Sequence, residues 1–500
     1  MPMSSQSDSP VAQRSVGLIF ALAFSGVTVA VMSTLLSPLL PQLPELLSTS
    51  ADDAAWSVTA TLLAGAVATP IAGYLGDLYG KRRMVLISLV LLVAGSLVAA
   101  LSSTLVLMII ARTLQGSALG VISLGMGIMR DRVPPQQLNL AIGLMSSSLG
   151  AGVALGPPLS AVIVQYTDWH VVFMITAGLG AIAAALVLRY VPGQDVARGG
   201  RFDFVGAFTL SAGLLALLVA ISKGSAWGWG STQVIGLFAA AMVALALWVA
   251  FALRAPAPLV DLRTARRPVV LLTNIASLLV GYALFAQAMV FPQLLQLDPD
   301  SGSGLGLSVL AAGLAVMPGG LMMMAVSPLA ARLSAARGPK VSLILGAAVS
   351  GAGYLVGLNM MHAVWQVVLT SVLINTGIAI AYAAMPALIM GAAPASESGA
   401  ANGFNALMRS IGTSTSSAVA GVVLAHTSTQ FDGIHTAPTL TGFRIVFAIA
   451  AGAGLLAVLI GSFIPARRPP RTPHTPSPPA PSATLPTGPD PRSETATPPA

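Results

Sequence analysis

The stretch Gly73-Tyr74-Leu75-Gly76-Asp77-Leu78-Tyr79-Gly80-Lys81-Arg82-Arg83 decides how this chain is read. A lone carboxylate and three consecutive cations sit among glycines, between two long apolar runs. The glycines permit a tight turn and close helix approach. Asp77, at the end of its apolar run, is placed to pair with the cations or to cap the positive N-terminus of a neighbouring helix. Such a contact can be made in one conformation and broken in another.

Outward from this turn the sequence is greasy in both directions. Of 500 residues 55% are hydrophobic and only 8% charged, and the mean hydropathy is +0.84. A soluble domain carries about a quarter of its residues as charges, so a soluble multidomain enzyme is excluded. The formal net charge of +8 comes from cations scattered singly between apolar runs, which is not the dense basic face of a nucleic-acid binder. The chain contains no cysteine, so disulfides, thiolate metal sites and cysteine nucleophiles are ruled out. No phosphate loop, zinc motif or nucleophile constellation is visible, and no cofactor or metal site is expected.

Apolar runs long enough to cross about 30 Å of hydrocarbon recur fourteen times. They predict spans over 15–40, 56–78, 84–102, 105–129, 139–164, 171–190, 205–222, 234–252, 269–291, 307–331, 341–359, 363–389, 404–425 and 443–463. Under this layout 21 of the 24 Lys and Arg residues, Arg409 among them, fall on one side, as cytoplasmic loops do, which places both termini in the cytoplasm. The expectation is an all-α polytopic membrane protein. Its parts are a cytoplasmic N-terminus 1–14, a six-helix bundle 15–190, a linker with two extra spans 191–268, a second six-helix bundle 269–463 and a tail 464–500. Thirteen prolines in residues 465–500 predict a disordered cytoplasmic tail.

The spacing Gly-x-Leu-x-Asp-x-x-Gly-Lys-Arg-Arg after the second span resembles the signature loop of the major facilitator superfamily. A weaker echo without the acid, Pro328 to Arg332 and Gly338 to Lys340, occupies the equivalent place in the second half. The resemblance covers residues 15–463 and implies two bundles rocking about a central cavity. Gly73, Asp77, Gly80, Lys81, Arg82 and Arg83 would then form the conformational switch.

Other segments fit the same family. Arg112-Thr113-Leu114-Gln115-Gly116 resembles its fourth-span motif, whose arginine is implicated in proton coupling. The competing reading is a structural arginine satisfied by backbone carbonyls, and in either case a guanidinium does not release a proton at physiological pH. In span five Ser148, Gly152, Gly156 and Ser160 recur every fourth residue, followed at Gly156 by Pro157 and Pro158. This makes a stripe for a close helix and a kink. Gly152 to Pro157 resembles the gating motif of exporters in the superfamily, although Ser160 and Ala161 replace a trailing glycine pair.

Trp56, Asp168-Trp169-His170, Pro292 to Gln296, and Gly399, Asn402, Asn405, Arg409 and Gly412 resemble the fourteen-span drug:proton antiporter branch. In that branch the first span usually carries an aspartate, and here Met32 takes its place. The remaining candidate proton sites are Asp52, Asp53, Asp168 and His170, each of which also reads as a solvated loop residue. The interior polar set is Ser33, Thr34, Arg112, Gln115, Ser147, Gln287, Asn375 and Asn274, with Tyr282, Phe285 and methionines between them. Few fixed polar groups in an apolar, flexible lining suit lipophilic compounds of varied shape.

The function expected is therefore secondary active export of hydrophobic drugs, antibiotics or natural products across the cytoplasmic membrane, by proton antiport with alternating access. The partners would be a small hydrophobic substrate, protons and the lipid bilayer, with no nucleic acid and with the chain acting as a monomer. A proton-independent facilitator or importer of a specific solute stays open because of Met32. A non-transporting membrane sensor is the third reading.

Overall fold

Hydrocarbon offers no partner to a backbone N–H or C=O, so each crossing segment must satisfy its own backbone. The computed structural model describes residues 10–39, 42–49, 51–54, 56–193, 202–255, 258–394, 398–430 and 436–465. Its first half contains the long helices α1 (Pro10–Thr34), α2 (Trp56–Tyr79), α3 (Lys81–Ala100), α4 (Leu105–Arg132), α5 (Pro135–Tyr166) and α6 (His170–Tyr190). The helices α7 (Phe204–Trp227) and α8 (Thr232–Ala252) follow. The second half contains α9 (Pro268–Gln296), α10 (Val309–Arg337), α11 (Pro339–Gly357), α12 (Val364–Ala392), α13 (Ser398–His426) and α14 (Leu440–Ser462). A 3₁₀ turn at Ser117–Gly120 interrupts α4.

Thirteen of these helices are long and apolar enough to cross a bilayer. The other, α13, is long enough but carries Asn402, Asn405, Arg409 and the polar run Thr413 to Ser417. No residue of α13 between Ala400 and Ala420 is exposed, so protein rather than lipid surrounds that polarity. Arg409, expected with the inner-side cations, instead lies eleven residues inside α13. The all-α expectation holds except for one small antiparallel pair between α13 and α14, β1 (Ser428–Gln430) and β2 (Thr436–Pro438).

Five apolar clusters hold the described helices, three of them large. One gathers Leu22 and Met32 of α1, Leu89 of α3, Val121 of α4, Met145 of α5 and Val187 of α6. A second gathers Phe291, Met323, Leu343, Tyr354, Ile374 and Phe447 from α9, α10, α11, α12 and α14, with Phe447 edge-on to Phe291 at 5.6 Å and to Tyr354 at 5.1 Å. The third packs Leu210 and Leu214 of α7 and Trp248 of α8 against Leu63 and Ala66 of α2 and Leu407 of α13. The inserted pair thus lies on one helix from each half. Asp203 ties its two ends together, accepting from Gly206 N at the start of α7 (2.7 Å) and from Leu259 N after α8 (3.0 Å).

The halves meet along two seams. On one, α5 and α10 touch backbone to backbone: a side chain at Gly320 would fall 2.4 Å from Ala154 N, and one at Gly150 2.6 Å from Met324 N. On the other, Gly403 of α13 lies against Pro70 of α2. Within each half a single glycine with positive φ turns the chain from one long helix into the next, Gly80 (φ 100°) between α2 and α3 and Gly338 (φ 88°) between α10 and α11. Lys81, Arg82 and Arg83, expected in a loop, accordingly form the first turn of α3. The proline-rich tail beyond Pro465 lies outside the described residues.

Candidate functional site

Cations in the first turn of a helix oppose its dipole and need compensation. Lys81 obtains it from two carboxylates. Its Nζ donates to Asp131 Oδ2 at 2.7 Å and lies 3.5 Å from Asp77 Oδ1. Gly76 and Gly127 leave room for its aliphatic stem. Arg82 turns away and donates to the Leu188 carbonyl near the end of α6 (2.9 Å), while Arg83 is exposed and Gly73 is buried. The other oxygen of Asp77 crosses the seam: Oδ2 accepts from Ala400 N, in the first turn of α13, at 3.1 Å. One carboxylate thus satisfies a first-turn donor of a helix in the opposite half, with only 9% of its side chain exposed. Asp131 is absent from the residues that the sequence singles out for the switch. The signal was present, since Asp131 ends an apolar run as Asp77 does.

Arg112 is 1% exposed and makes no ion pair among the described residues. Its Nε donates to the Ser57 carbonyl of α2 (3.2 Å) and its Nη1 to Gln115 Oε1 (2.8 Å), with the Met32 carbonyl of α1 at 3.5 Å. Gln115 in turn donates to Ser96 Oγ of α3 (2.8 Å). The guanidinium therefore ties four helices of one half together. Met32, standing where the related branch has an acid, lies beside it with Sδ 3.8 Å from Nη1. Gly116 allows α4 to press on the Thr61 carbonyl of α2.

The stripe on α5 faces α1, within its own half. Gly26 packs on Ser148, Gly152 on Ala30 and Gly156 on Thr34, and Thr34 Oγ1 donates to the Gly152 carbonyl at 2.7 Å. Thr34 therefore belongs with this stripe, and no hydrogen bond joins it to Arg112. The face of α5 that meets the other half is the one with Gly143, Gly150 and Ala154, which continues to Pro157 and Pro158 against Gly313 of α10.

At the opposite end from the Lys81 turn, His170 closes the α5–α6 connection. Its Nε2 lies 2.9 Å from the Ser102 carbonyl, and its Nδ1 and backbone N–H both meet Asp168. Those two bonds, the backbone one first, hold the exposed Asp168 carboxyl below its ordinary value of 3.8. Asp168 thus stays ionised at neutral pH. Asp53 is exposed on the short helix Ala51–Ala54, and the side chain of Asp52 lies outside the described residues.

The second half holds two polar clusters. Gln287 of α9 and Asn375 of α12 exchange two hydrogen bonds of 3.1 Å, and Asn375 also donates to the Ser371 carbonyl (2.9 Å). The other cluster joins α9, α12 and α13. Asn405 donates to Asn274 Oδ1 (2.9 Å) and Ser277 Oγ (2.7 Å), and accepts from Arg409 Nη1 (2.5 Å). The Arg409 guanidinium lies over the Tyr382 ring, 5.2 Å from its centroid. Sequence reasoning noted Asn405 and Arg409 only as a resemblance. Their separation by four residues on one helical face was the available clue.

Residues 22–417 and 273–496 match the family model described as Major Facilitator Superfamily. The tetracenomycin C resistance and export protein of Streptomyces glaucescens is 30% identical over 414 residues, 81% of this chain and 75% of its own. The multidrug resistance protein Stp of Mycobacterium tuberculosis is 28% identical over 389 residues, 77% of this chain and 71% of its own. Among solved structures, the human organic anion transporter MFSD10 superposes with a TM-score of 0.63 at 15% identity, over 91% of this chain and all of that one. The proton:xylose symporter XylE superposes at 0.65 and 14% identity, over 91% and 96%. With fourteen long helices, a glycine turn repeated in each half and a family match that runs across both, this chain belongs to the major facilitator superfamily.

Proposed function

We propose that this protein exports lipophilic drugs, antibiotics or natural products across the cytoplasmic membrane by alternating access, in exchange for protons. Its relatives named for antibiotic export and multidrug resistance support the export reading. The observation that carries the mechanism is the bond from Ala400 N to Asp77. It joins the two halves at the end of the molecule where the cations gather, which we assign to the cytoplasmic face. With this contact made, the inner side is closed, and inward opening has to break it. Arg112 braces the first half, the α5 stripe with Gly152 and Gly156 lets α1 and α5 move as a unit, and Pro157 lies on the face of α5 that meets α10.

The protein is a transporter in a multi-pass membrane setting and performs no chemistry on its cargo. Proton exchange is tested in inverted vesicles lacking ATP, loaded with a dye or antibiotic substrate. Collapse of accumulation by a protonophore supports antiport, whereas undiminished accumulation removes it. A proton-independent facilitator is the second reading, favoured by the packing of Met32 against Arg112 and by the scarcity of acids in the long helices. Their only carboxylates are Asp77 and Asp131, both engaged with Lys81.

A further inference from the structure

The helices α9 to α14 contain not one Asp or Glu, yet α13 buries a cation near its middle. Arg409 stands eleven residues after Ser398, about 16 Å along a helix that rises 1.5 Å per residue. Desolvating a guanidinium there is costly, and proteins normally repay it with a carboxylate or a set of carbonyls. Arg112 shows the second solution, being sealed and shared among the Ser57 and Met32 carbonyls and Gln115. Arg409 has neither. Among the described residues it forms no ion pair, and its one hydrogen-bond acceptor is the side-chain oxygen of Asn405.

Two further features set this cation apart. It is enclosed by neighbouring helices but only half-buried, on a helix with no exposed residue from Ala400 to Ala420. Its surroundings are also rich in donors. Asn405 spends both of its bonds as a donor on Asn274 and Ser277, and the Asn274 amide nitrogen, in a residue only 3% exposed, has no hydrogen-bond partner among the described residues. The chain Asn274, Ser277, Asn405 fixes the guanidinium from one side, and the Tyr382 ring supports it from another. A cation held in place by neutral groups, only half-buried and short of acceptors is complementary to an anionic oxygen pair.

Resting on the export reading, we infer that Arg409 is a substrate-binding residue that receives the carboxylate of an amphipathic organic acid, with Asn405 and Tyr382 positioning the guanidinium. The substrate class is an apolar, preferentially aromatic body bearing one carboxylate. Its charge pairs with Arg409 while its body lies among the apolar side chains. Outward movement of such an anion is helped by an inside-negative potential.

The test is calorimetric binding to the full-length protein in detergent at about pH 7.5, where carboxylic acids are ionised. Three acids of increasing size are used, benzoate, naphthalene-2-carboxylate and anthracene-2-carboxylate, each beside its primary amide. The expected result is that at least one acid binds about tenfold or more tightly than its amide. That ratio falls toward one in Arg409→Gln and is largely restored in Arg409→Lys. A purely structural arginine would weaken acid and amide alike and leave the ratio where it was. Equal binding of acids and amides, an unchanged ratio in Arg409→Gln, or no binding by any of the acids overturns the proposal. The export reading falls separately, by failure of the wild-type protein to move any lipophilic compound in vesicles.

Discussion

Asp77 does two things with one carboxylate, and they separate by substitution. Asparagine at this position can still accept from Ala400 N, but it loses the charge that favours a helix N-terminus and the attraction to Lys81. Charge at a helix terminus contributes about 0.3 to 2 kcal/mol, so Asp77→Asn should move the balance of inner-closed and inner-open forms by roughly two- to thirtyfold toward open. Asp77→Ala, which also removes the acceptor, should move it further. The absence of native cysteine allows single-cysteine labelling at the inner seam to measure this directly, and equal labelling in wild type and both variants would remove the latch role. At Arg112 the informative change is Met32→Asp. A carboxylate in place of the thioether meets a guanidinium now satisfied by carbonyls, and outward flux should then respond to an imposed pH gradient more steeply than in wild type or in Met32→Ala. Asp168 should not behave as a coupling group. Its lowered value means that its bond to His170 is fully present above the ordinary carboxylate range and is lost only as pH falls through that lowered value. In a His170→Gln background, where no imidazole shares the bond, Asp168→Asn should therefore change transport by the same factor at every pH between about 5 and 8. A pH-dependent factor in that interval would contradict this assignment.

Elements slide or separate only where their surfaces allow it, and the two faces of α5 differ in this respect. One face lies against α1 through Gly152 and Gly156, with a hydrogen bond from Thr34, and belongs to one half. The other meets α10 with backbones in contact at Gly150, Ala154 and Gly320. A β-branched side chain at Gly320 has no room, since its Cβ would sit 2.4 Å from Ala154 N. Overpacking of this kind costs about 1 to 3 kcal/mol. Gly320→Val should therefore disfavour this arrangement of the halves and raise labelling of inner-seam cysteines, while the protein still inserts. The match of sequence and structure is closest at this scale for helix number, because length and apolarity mark thirteen of the fourteen long helices, and α13 has the length with a more polar composition. It is weakest at helix ends. Lys81 to Arg83 read as a loop because charge argues against a span, yet Gly80 alone makes the turn and the cations start α3, neutralised by Asp77 and Asp131.

For the whole molecule, acids and cations are distributed very unevenly. Fourteen long helices contain two carboxylates, both at the Lys81 turn, and two deeply placed guanidiniums that neither carboxylate reaches. The inserted pair α7–α8 lies over α2 and α13, one helix from each half, through Leu210, Leu214 and Trp248. Its packing against both is built on these apolar side chains, with polar contacts that include Thr59 with Ser222 (3.4 Å) and Lys223 over the Trp56 ring. Lipid can replace apolar contacts at little cost. A variant joining residue 193 to residue 268 by a short linker should therefore still insert and fold both bundles, with a lower Tm in detergent. Failure to insert would show the pair to be needed for assembly.

The sequence by itself determined that the chain crosses the membrane many times, which of its turns gathers one carboxylate and three cations among glycines, and that a titratable acid at mid-depth is missing. Those properties depend on residue type and local spacing, because bilayer thickness and backbone hydrogen bonding act on each segment separately. Only the tertiary structure decided which helix each motif faces. A stripe of glycines specifies close approach but not the partner, and so the α5 motif was free to meet α1 while its neighbouring face met α10. Likewise nothing local distinguishes Arg112, covered by carbonyls of α1 and α2, from Arg409, left half-open beside Asn405. The difference arises from side chains and backbone brought together across as many as 130 or so residues of chain, where no spacing rule reaches.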